Sequence, residues 1–472
     1  MKLAGRKDEI EMLETILKSE DSEFVAMYGR RRIGKTYLLR QVFQPNIIFE
    51  ASGIHENEIE QQLESFWLVL LERMPKLKLA SPPKTWLQAF ALLKQYVLSL
   101  KGKKKKVIFL DEISWYDTPR SGFLAALDNF WNQFCSKRDD IILTICGSAA
   151  SWIIKKVINN RGGLHNRVTK TIQLFPFTLA ETNEYLLMKN IHLSKKDVIE
   201  LYMCIGGVPF YYKDIVKGKS VVQIINELCF TQKATLKNEF NNLYASLFKN
   251  AHLHVAIVSA LAKKNKGLSR QEIITETGLS SGGGMTTLLS ELIECGFVTE
   301  IHPINKTKED KLYRLIDEFS LFYFKFMYKS KIIDWTTTFN KQAYKIWCGY
   351  AFETICLKHA KQIKNKLGIS GIASNEYSWI KKGINNEQGC QIDLLIDRAD
   401  NCITMCEIKF HNAAFEITQQ YANTLRDKRE IFKTNTKTKK NIFITFITLY
   451  GVKQNEHSLS IVSNEIVGDD LF

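Results

Sequence analysis

The chain has 472 residues, 45% of them hydrophobic and 24% charged, too many for one compact core, so about three or four domains of a globular protein are expected. No uninterrupted apolar run is long enough to span a bilayer, and the opening MKLAGRKDEIEML lacks the apolar core of a signal peptide, so a cytoplasmic protein without membrane contact is expected. The net charge of +15 favours polyanions such as nucleic acid, although a lysine-rich composition gives the same excess by itself.

In chain order, EFVAMYG at 23–29 reads as a buried strand, followed by a glycine-basic loop and a helix, KTYLLRQVF. NIIFEAS at 46–52 is a second strand, and helical periodicity fills 56–73 and 85–99. Lys103–Lys106 reads as a solvated loop before VIFLDE at 107–112, a buried strand ending in two acids. A helix over about 121–136 leads to the strand IILTICGS at 141–148, and TKTIQLFPF at 169–177 is a fifth strand. Strands alternating with helices imply a parallel sheet covered on both faces. Residues 179–246 are helical, broken at Gly206-Gly207-Val208-Pro209, and read as a small lid.

Residues 247–318 change character: the helix AHLHVAIVSALAKK, a second helix opened by the capping box of Ser269 and Glu272, a third in MTTLLSELIECG, then FVTEIHP and DKLYRLI. Three helices and a two-stranded wing make a winged helix-turn-helix. An aromatic connector covers 319–340. The last segment, 341–472, holds a helix (WCGYAFETICLKHAKQI), strands QIDLLID and CITMCEIKF, a helix AFEITQQYANTL and a strand NIFITFITL. The ten cysteines are scattered without a CxxC pair. Buried free thiols are expected, even for Cys402 and Cys406.

Gly29-Arg30-Arg31-Arg32-Ile33-Gly34-Lys35-Thr36 matches GxxxxGK[ST] between a strand and a helix. Such a loop wraps its backbone N–H groups around a phosphate. Lys35 is expected to reach the β- and γ-phosphates of ATP, and the Thr36 hydroxyl to ligate Mg²⁺. The three arginines add positive charge, though only their backbone is implied by the motif. At the end of the strand at 107–112, Asp111 is expected to hold Mg²⁺ through water and Glu112 to orient and deprotonate the attacking water.

With these motifs in place the sequence resembles the archaeal-type ATPase family, a branch of the P-loop ATPases near the AAA+ and signal-transduction groups, also found in bacteria. Gly5-Arg6 with Glu9 is similar to the family's opening segment near the adenine. Cys146-Gly147-Ser148 resembles its fourth-strand polar sensor, and Gly206-Gly207-Val208-Pro209 its lid motif. Leu164-His165-Asn166-Arg167 resembles its LYGR segment, with Tyr-Gly replaced by His-Asn. The resemblance implies Ser148 as sensor and Arg167 as an arginine touching the γ-phosphate, in cis or from a neighbour in a homo-oligomer; the other reading of Arg167 is a surface arginine.

The third helix of the winged segment carries Thr286, Thr287, Ser290, Glu291 and Glu294 but no Lys or Arg, which disfavours base readout. Lys263, Lys264, Lys266 and Arg270, with Lys306, Lys308 and Lys311 on the wing, leave backbone contact with DNA or a purely architectural role open. In the last segment Asp393 precedes Glu407 and Lys409, which share one face of a strand; such acids with a lysine suit a Mg²⁺ ion beside a phosphodiester. This arrangement resembles the PD-(D/E)xK restriction-endonuclease-like fold, with Ile392 in place of the proline. The resemblance implies Glu353, Asp393 and Glu407 as metal ligands and Lys409 as charge stabiliser, in an active nuclease or a non-cleaving remnant.

The expected whole is an α/β multidomain chain: a parallel-sheet P-loop ATPase core (1–178), a helical lid (179–246), the winged helix (247–318), the connector (319–340) and an α/β restriction-endonuclease-like domain (341–472). The leading expectation is an ATP-hydrolysing switch or motor acting on DNA or a partner. The rival is a nucleotide-gated scaffold without cleavage.

Overall fold

The computed structural model describes residues 3–74, 81–159, 164, 166–301, 311–330, 332, 334–339, 341–381 and 389–472. The chain forms two compact units, one of Met1–Phe175 with Leu247–Lys249 and Glu294–Gly296, the other of Pro176–Ser246, Asn250–Ile293 and Phe297–Phe472. The lid, the winged segment and the last segment of the sequence reading thus fall largely into one unit.

The first unit is built on β1 (Glu23–Tyr28), β2 (Ile47–Ser52), β3 (Lys106–Asp111), β4 (Ile141–Gly147) and β5 (Lys170–Gln173). They pair in the order β2-β3-β4-β1-β5, all parallel. β1, β3 and β4 are buried along their whole length, as continuous apolar runs in a covered parallel sheet must be. Alternate side chains serve opposite faces. Val25, Met27, Val107 and Phe109 pack with Leu13, Ile16, Leu38 and Phe43 of the helices Lys7–Lys18 and Lys35–Phe43. Elsewhere in the unit an aromatic cluster joins Phe66, Trp86, Phe90, Tyr116 and Phe123. The four-lysine run is not wholly solvated: Lys106 is buried as the first residue of β3, because Asp140 meets its ammonium at 2.5 Å. β5 is shorter than expected, since Leu174 and the residues after it leave the ladder once Leu174 N–H has bonded to the Tyr28 carbonyl.

In the second unit, the helices Leu179–Met188, Lys195–Ile205 and Val221–Cys229 follow one another. Gly207 is required between them: a Cβ there would run into the Phe177 carbonyl, which also accepts from Tyr202 Oη at 2.7 Å. The helices Ala251–Ala262, Arg270–Thr277 and Gly283–Glu294 pack with β6 (Leu268–Ser269), β7 (Val298–Ile301) and β8 (Leu312–Leu315), an antiparallel sheet in the order β6-β8-β7. The expected box of Ser269 and Glu272 caps the second helix. β6 is two residues long, too short to carry any periodicity in the sequence. Lys306 and Lys308 lie outside the described residues.

The connector is helical, as Glu318–Phe322 and a π-helical turn Tyr323–Met327. The last sheet has the order β13-β12-β11-β10-β9, from β9 (Ser374–Lys381), β10 (Cys390–Arg398), β11 (Cys402–Lys409), β12 (Asn441–Thr448) and β13 (Asn464–Val467). β9, β10 and β11 are antiparallel neighbours; β11, β12 and β13 run parallel. The helix expected from Ala414 starts instead at Gln419, capped by Thr418, and runs to Thr436. Phe415 is held back by a bridge to Val452. The helices Gln342–Lys358 and Ala360–Lys366 join this sheet to the rest of the unit. His359 accepts the Leu179 N–H on Nε2 at 3.1 Å and donates from Nδ1 to the Ile355 carbonyl at 2.8 Å. Its burial pushes its pKa down to about 4, so it is the neutral tautomer that makes this bond. The turn Gly468–Leu471 lies on the helix Lys195–Ile205, with Gly468 against Ile199 and Asp469 3.5 Å from Lys195.

All ten cysteines are free thiols, and all but Cys402 are buried. Among the described residues no helix is long and apolar enough to cross a membrane.

Candidate functional site

β4 lies between β3 and β1, so the carboxyl end of β4 separates the loop after β1 from the acids after β3. That placement makes Ser148 a bridge. Lys35 Nζ donates to the Gly29 and Arg30 carbonyls at 2.8 and 2.9 Å and to Ser148 Oγ at 3.2 Å. Ser148 Oγ in turn donates to Glu112 Oε1 at 2.9 Å, and its N–H to Glu112 Oε2 at 3.1 Å. Thr36 Oγ1 donates to Asp111 Oδ2 at 2.8 Å. Burial raises the Asp111 carboxyl above its usual pKa against the Thr36 hydrogen bond.

The loop's backbone is shaped for this. Gly29, at φ +150°, lies so near the Leu174 carbonyl that no Cβ fits. Arg32 at φ 68° and Glu112 at φ 46° are both left-handed, a conformation that non-glycine residues keep only where the surroundings enforce it. Gly34 opens the helix Lys35–Phe43, Ile33 is buried beneath the loop, Arg30 is buried and Arg31 exposed. Arg6, beside Gly5 and itself buried, donates to the Ile33 carbonyl at 3.3 Å and stands 3.9 Å from Glu9. Arg167 is exposed in a turn closed by its N–H to the Leu164 carbonyl; His165 lies outside the described residues.

These residues fit a magnesium ion bound with ATP. Thr36 and Asp111 present two oxygen donors of the kind Mg²⁺ takes, side by side at the foot of the loop. Bound there, the ion supplies charge neutralisation at the phosphates. The chain's own contribution would be to orient: Lys35 and the loop amides would meet the phosphates, while Ser148 already holds the carboxylate of Glu112 by two hydrogen bonds.

A second polar cluster lies in the other unit. Glu407 Oε1 accepts from Tyr421 Oη at 2.5 Å and meets Lys409 Nζ at 2.9 Å; Oε2 meets Lys428 Nζ at 2.9 Å. Burial pushes Glu407 up, but the two ammonium groups and the phenol hold it below the usual carboxylate range. Asp393 Oδ1 accepts from Gln391 at 3.1 Å, and its pKa is raised by burial and then by the Glu407 charge. Burial, with the Asp393 charge, pushes Glu353 up to about 7, against the pull of Arg314, whose Nη2 stands 3.9 Å away and also donates to Thr354 Oγ1 at 3.2 Å.

The four expected residues therefore share one electrostatic neighbourhood. Yet among the described residues no three His, Cys, Asp or Glu side chains are grouped so as to hold a metal ion. Glu407 is turned toward its lysines and Glu353 toward Arg314, so the set does not fit a ready-made metal cage. Arg314 and Lys428 were missed in the sequence. Lys428 stands seven residues after Tyr421, two turns along one helix face, a signal that was present. Arg314 comes from β8, far off in sequence, and had none. Within residues 247–318, Lys311 is taken up by Glu300 at 2.5 Å, and Glu291 by His254 at 2.9 Å.

Residues 3–215 match the model of a family described as an ATPase domain predominantly from Archaea. An uncharacterized protein of Methanocaldococcus jannaschii is 24% identical over 421 residues, covering 86% of this chain and 87% of its own length. Among solved structures, similarity extends to a Walker-type ATPase of Pyrococcus abyssi (TM-score 0.49, 15% identity, 69% of this chain and 96% of that one). It extends also to the ORC2 protein of Aeropyrum pernix in ADPNP–ADP complexes (TM-score 0.42, 14% identity, 76% and 97%). The family match and the loop geometry together identify an ATP-binding and ATP-hydrolysing P-loop ATPase domain in the first part of the chain.

Proposed function

We propose that the chain is an ATP-driven switch acting on DNA, with Glu112 as the base that activates water and residues 341–472 as a restriction-endonuclease-like output domain. The observation that supports the switch is the Ser148 bridge: one hydroxyl touches both Lys35, the phosphate-binding cation in this reading, and Glu112, its base. A change at the γ-phosphate thus reaches the base through a single side chain. Residues 247–318 have the element order of a winged helix, and the net charge of +15 supports a polyanionic partner.

The rival, a nucleotide-gated scaffold whose nuclease-like domain does not cleave, is favoured by the saturation of Glu407 with two lysines and a tyrosine. One experiment separates the two readings. ATP turnover is measured with and without DNA, alongside Mg²⁺- or Mn²⁺-dependent nicking by the wild type and Lys409→Ala. Stimulation by DNA supports the switch on DNA; nicking lost in Lys409→Ala supports cleavage. Turnover indifferent to every form of DNA, with no nicking, leaves the scaffold.

A further inference from the structure

The connector's rings divide into two sets. Phe322 and Phe326 turn inward and pack on Trp335 and Trp347. Phe324 and Tyr328 meet edge to face at 5.5 Å on another side of the π-helical turn, a helix irregularity frequent at functional sites. With Trp347 and Tyr350 they line a cleft of about 410 Å³, in the size range of binding sites. The cleft's aromatic wall is partly open to solvent: Tyr328 is 45% exposed and Tyr350 38%.

The charge around the cleft has one sign. Lys263 and Lys325 line it, and among the described residues no acidic side chain does. Lys325 has no ion-pair partner among the described residues, and Lys263 has Glu276 only at 3.9 Å. A cleft of ring faces beside one unpaired and one loosely paired ammonium group selects a ligand that carries both a flat ring and a negative charge. Further exposed lysines stand at the ends of the three lining segments, Lys266, Lys345 and Lys329, the last over the Tyr328 ring at 5.3 Å, more cations than one phosphate needs. In a duplex the faces of the bases are covered by stacking on one another; in a single strand they are free to stack on aromatic rings.

We propose that this cleft binds single-stranded nucleic acid, its bases stacked on Tyr328 and Tyr350 and its phosphates along Lys263 and Lys325. The proposal deepens the nucleic-acid part of the function proposed above and is independent of cleavage. The test is fluorescence anisotropy of a labelled oligothymidylate titrated with the full chain, beside a duplex of equal length. Tyr328→Ala and Tyr350→Ala are each expected to weaken single-strand binding about tenfold, as lost base stacking does, while Tyr328→Phe retains it. Lys325→Ala is expected to lower the slope of log K against log salt by about 0.7, one phosphate contact on a single strand. Both positions are solvent-facing, and unchanged ATP turnover without DNA verifies folding.

Unchanged single-strand affinity in both tyrosine variants overturns the cleft while leaving DNA binding elsewhere intact, and so does a wild type that binds only duplex. Equal loss in Tyr328→Ala and Tyr328→Phe overturns stacking. Displacement of the strand by thymidine monophosphate at equal nucleotide concentration means that the site takes free nucleotides, and overturns the strand. Binding of neither DNA form overturns this proposal together with the nucleic-acid part of the proposed function.

Discussion

Ser148 is a small residue with two obligations, and its substitution separates them. Its hydroxyl serves both Lys35 and Glu112, whereas its N–H serves Glu112 alone. Ser148→Ala is therefore expected to leave Glu112 half held and to slow turnover by about 10-fold or more, the range for a lost hydrogen bond to a charged group. Glu112→Gln, which removes the base itself, is expected to slow it by about 100-fold or more. Steady-state ATP turnover with a nucleotide titration checks both, and a loss of affinity without a loss of turnover in Ser148→Ala would reassign Ser148 to phosphate binding. Glu353 gives a pH prediction. Its folded pKa, pushed up to about 7 by burial first, lies above its ordinary 4.5. The stability it contributes is thus present below about pH 4.5 and lost as pH rises through about 7. Glu353→Gln keeps the neutral form at every pH, so its thermal midpoint should gain on the wild type as pH rises and show no such gain below 4.5; a pH-independent difference would refute the buried acid.

At the scale of elements, legibility followed periodicity. β1, β3 and β4 are mostly apolar runs buried throughout, and the sequence marked them to within a residue or two. The helix Gln419–Thr436 was misplaced because Phe415 and Ile417 extend the apolar pattern ahead of it, although they are core residues of the loop before its Thr418 cap. β9 and β13 went unseen, for Ser374–Lys381 alternates too weakly and Asn464–Val467 is too short. In the nucleotide site, the residues of the loop and the acids were legible from motif spacing. The Ser148 bridge was not, because it depends on strand order, which no local pattern encodes. The turn at Gly207 makes the element-scale prediction: Gly207→Ala forces a methyl against the Phe177 carbonyl, and the shift needed should lower stability by about 1–3 kcal/mol. A thermal midpoint equal to the wild type's would mean that the turn yields freely.

For the whole molecule, Arg167 bears on assembly. It is exposed in its turn, so a role toward its own nucleotide and one toward a neighbouring copy's are to be distinguished by experiment. If it acts in trans, mixing Arg167→Ala with Glu112→Gln chains should restore sites that hold both residues, and turnover should exceed that of either variant alone. If it acts in cis, mixing gives no gain; if Arg167→Ala alone turns over normally, the arginine is a surface residue. The fastening of the second unit has a consequence for heredity and for engineering. Its early helices depend on its late residues: the Leu179 N–H on His359, and the Ile199 face on Gly468–Leu471. A gene fragment ending near residue 340 would strand a buried N–H group and bare an apolar helix face. Deletion is thus the wrong tool for silencing the last sheet, and recombination at the connector should rarely leave soluble offspring. The segments after residue 176 are expected to have been inherited together, changing by substitution rather than by exchange.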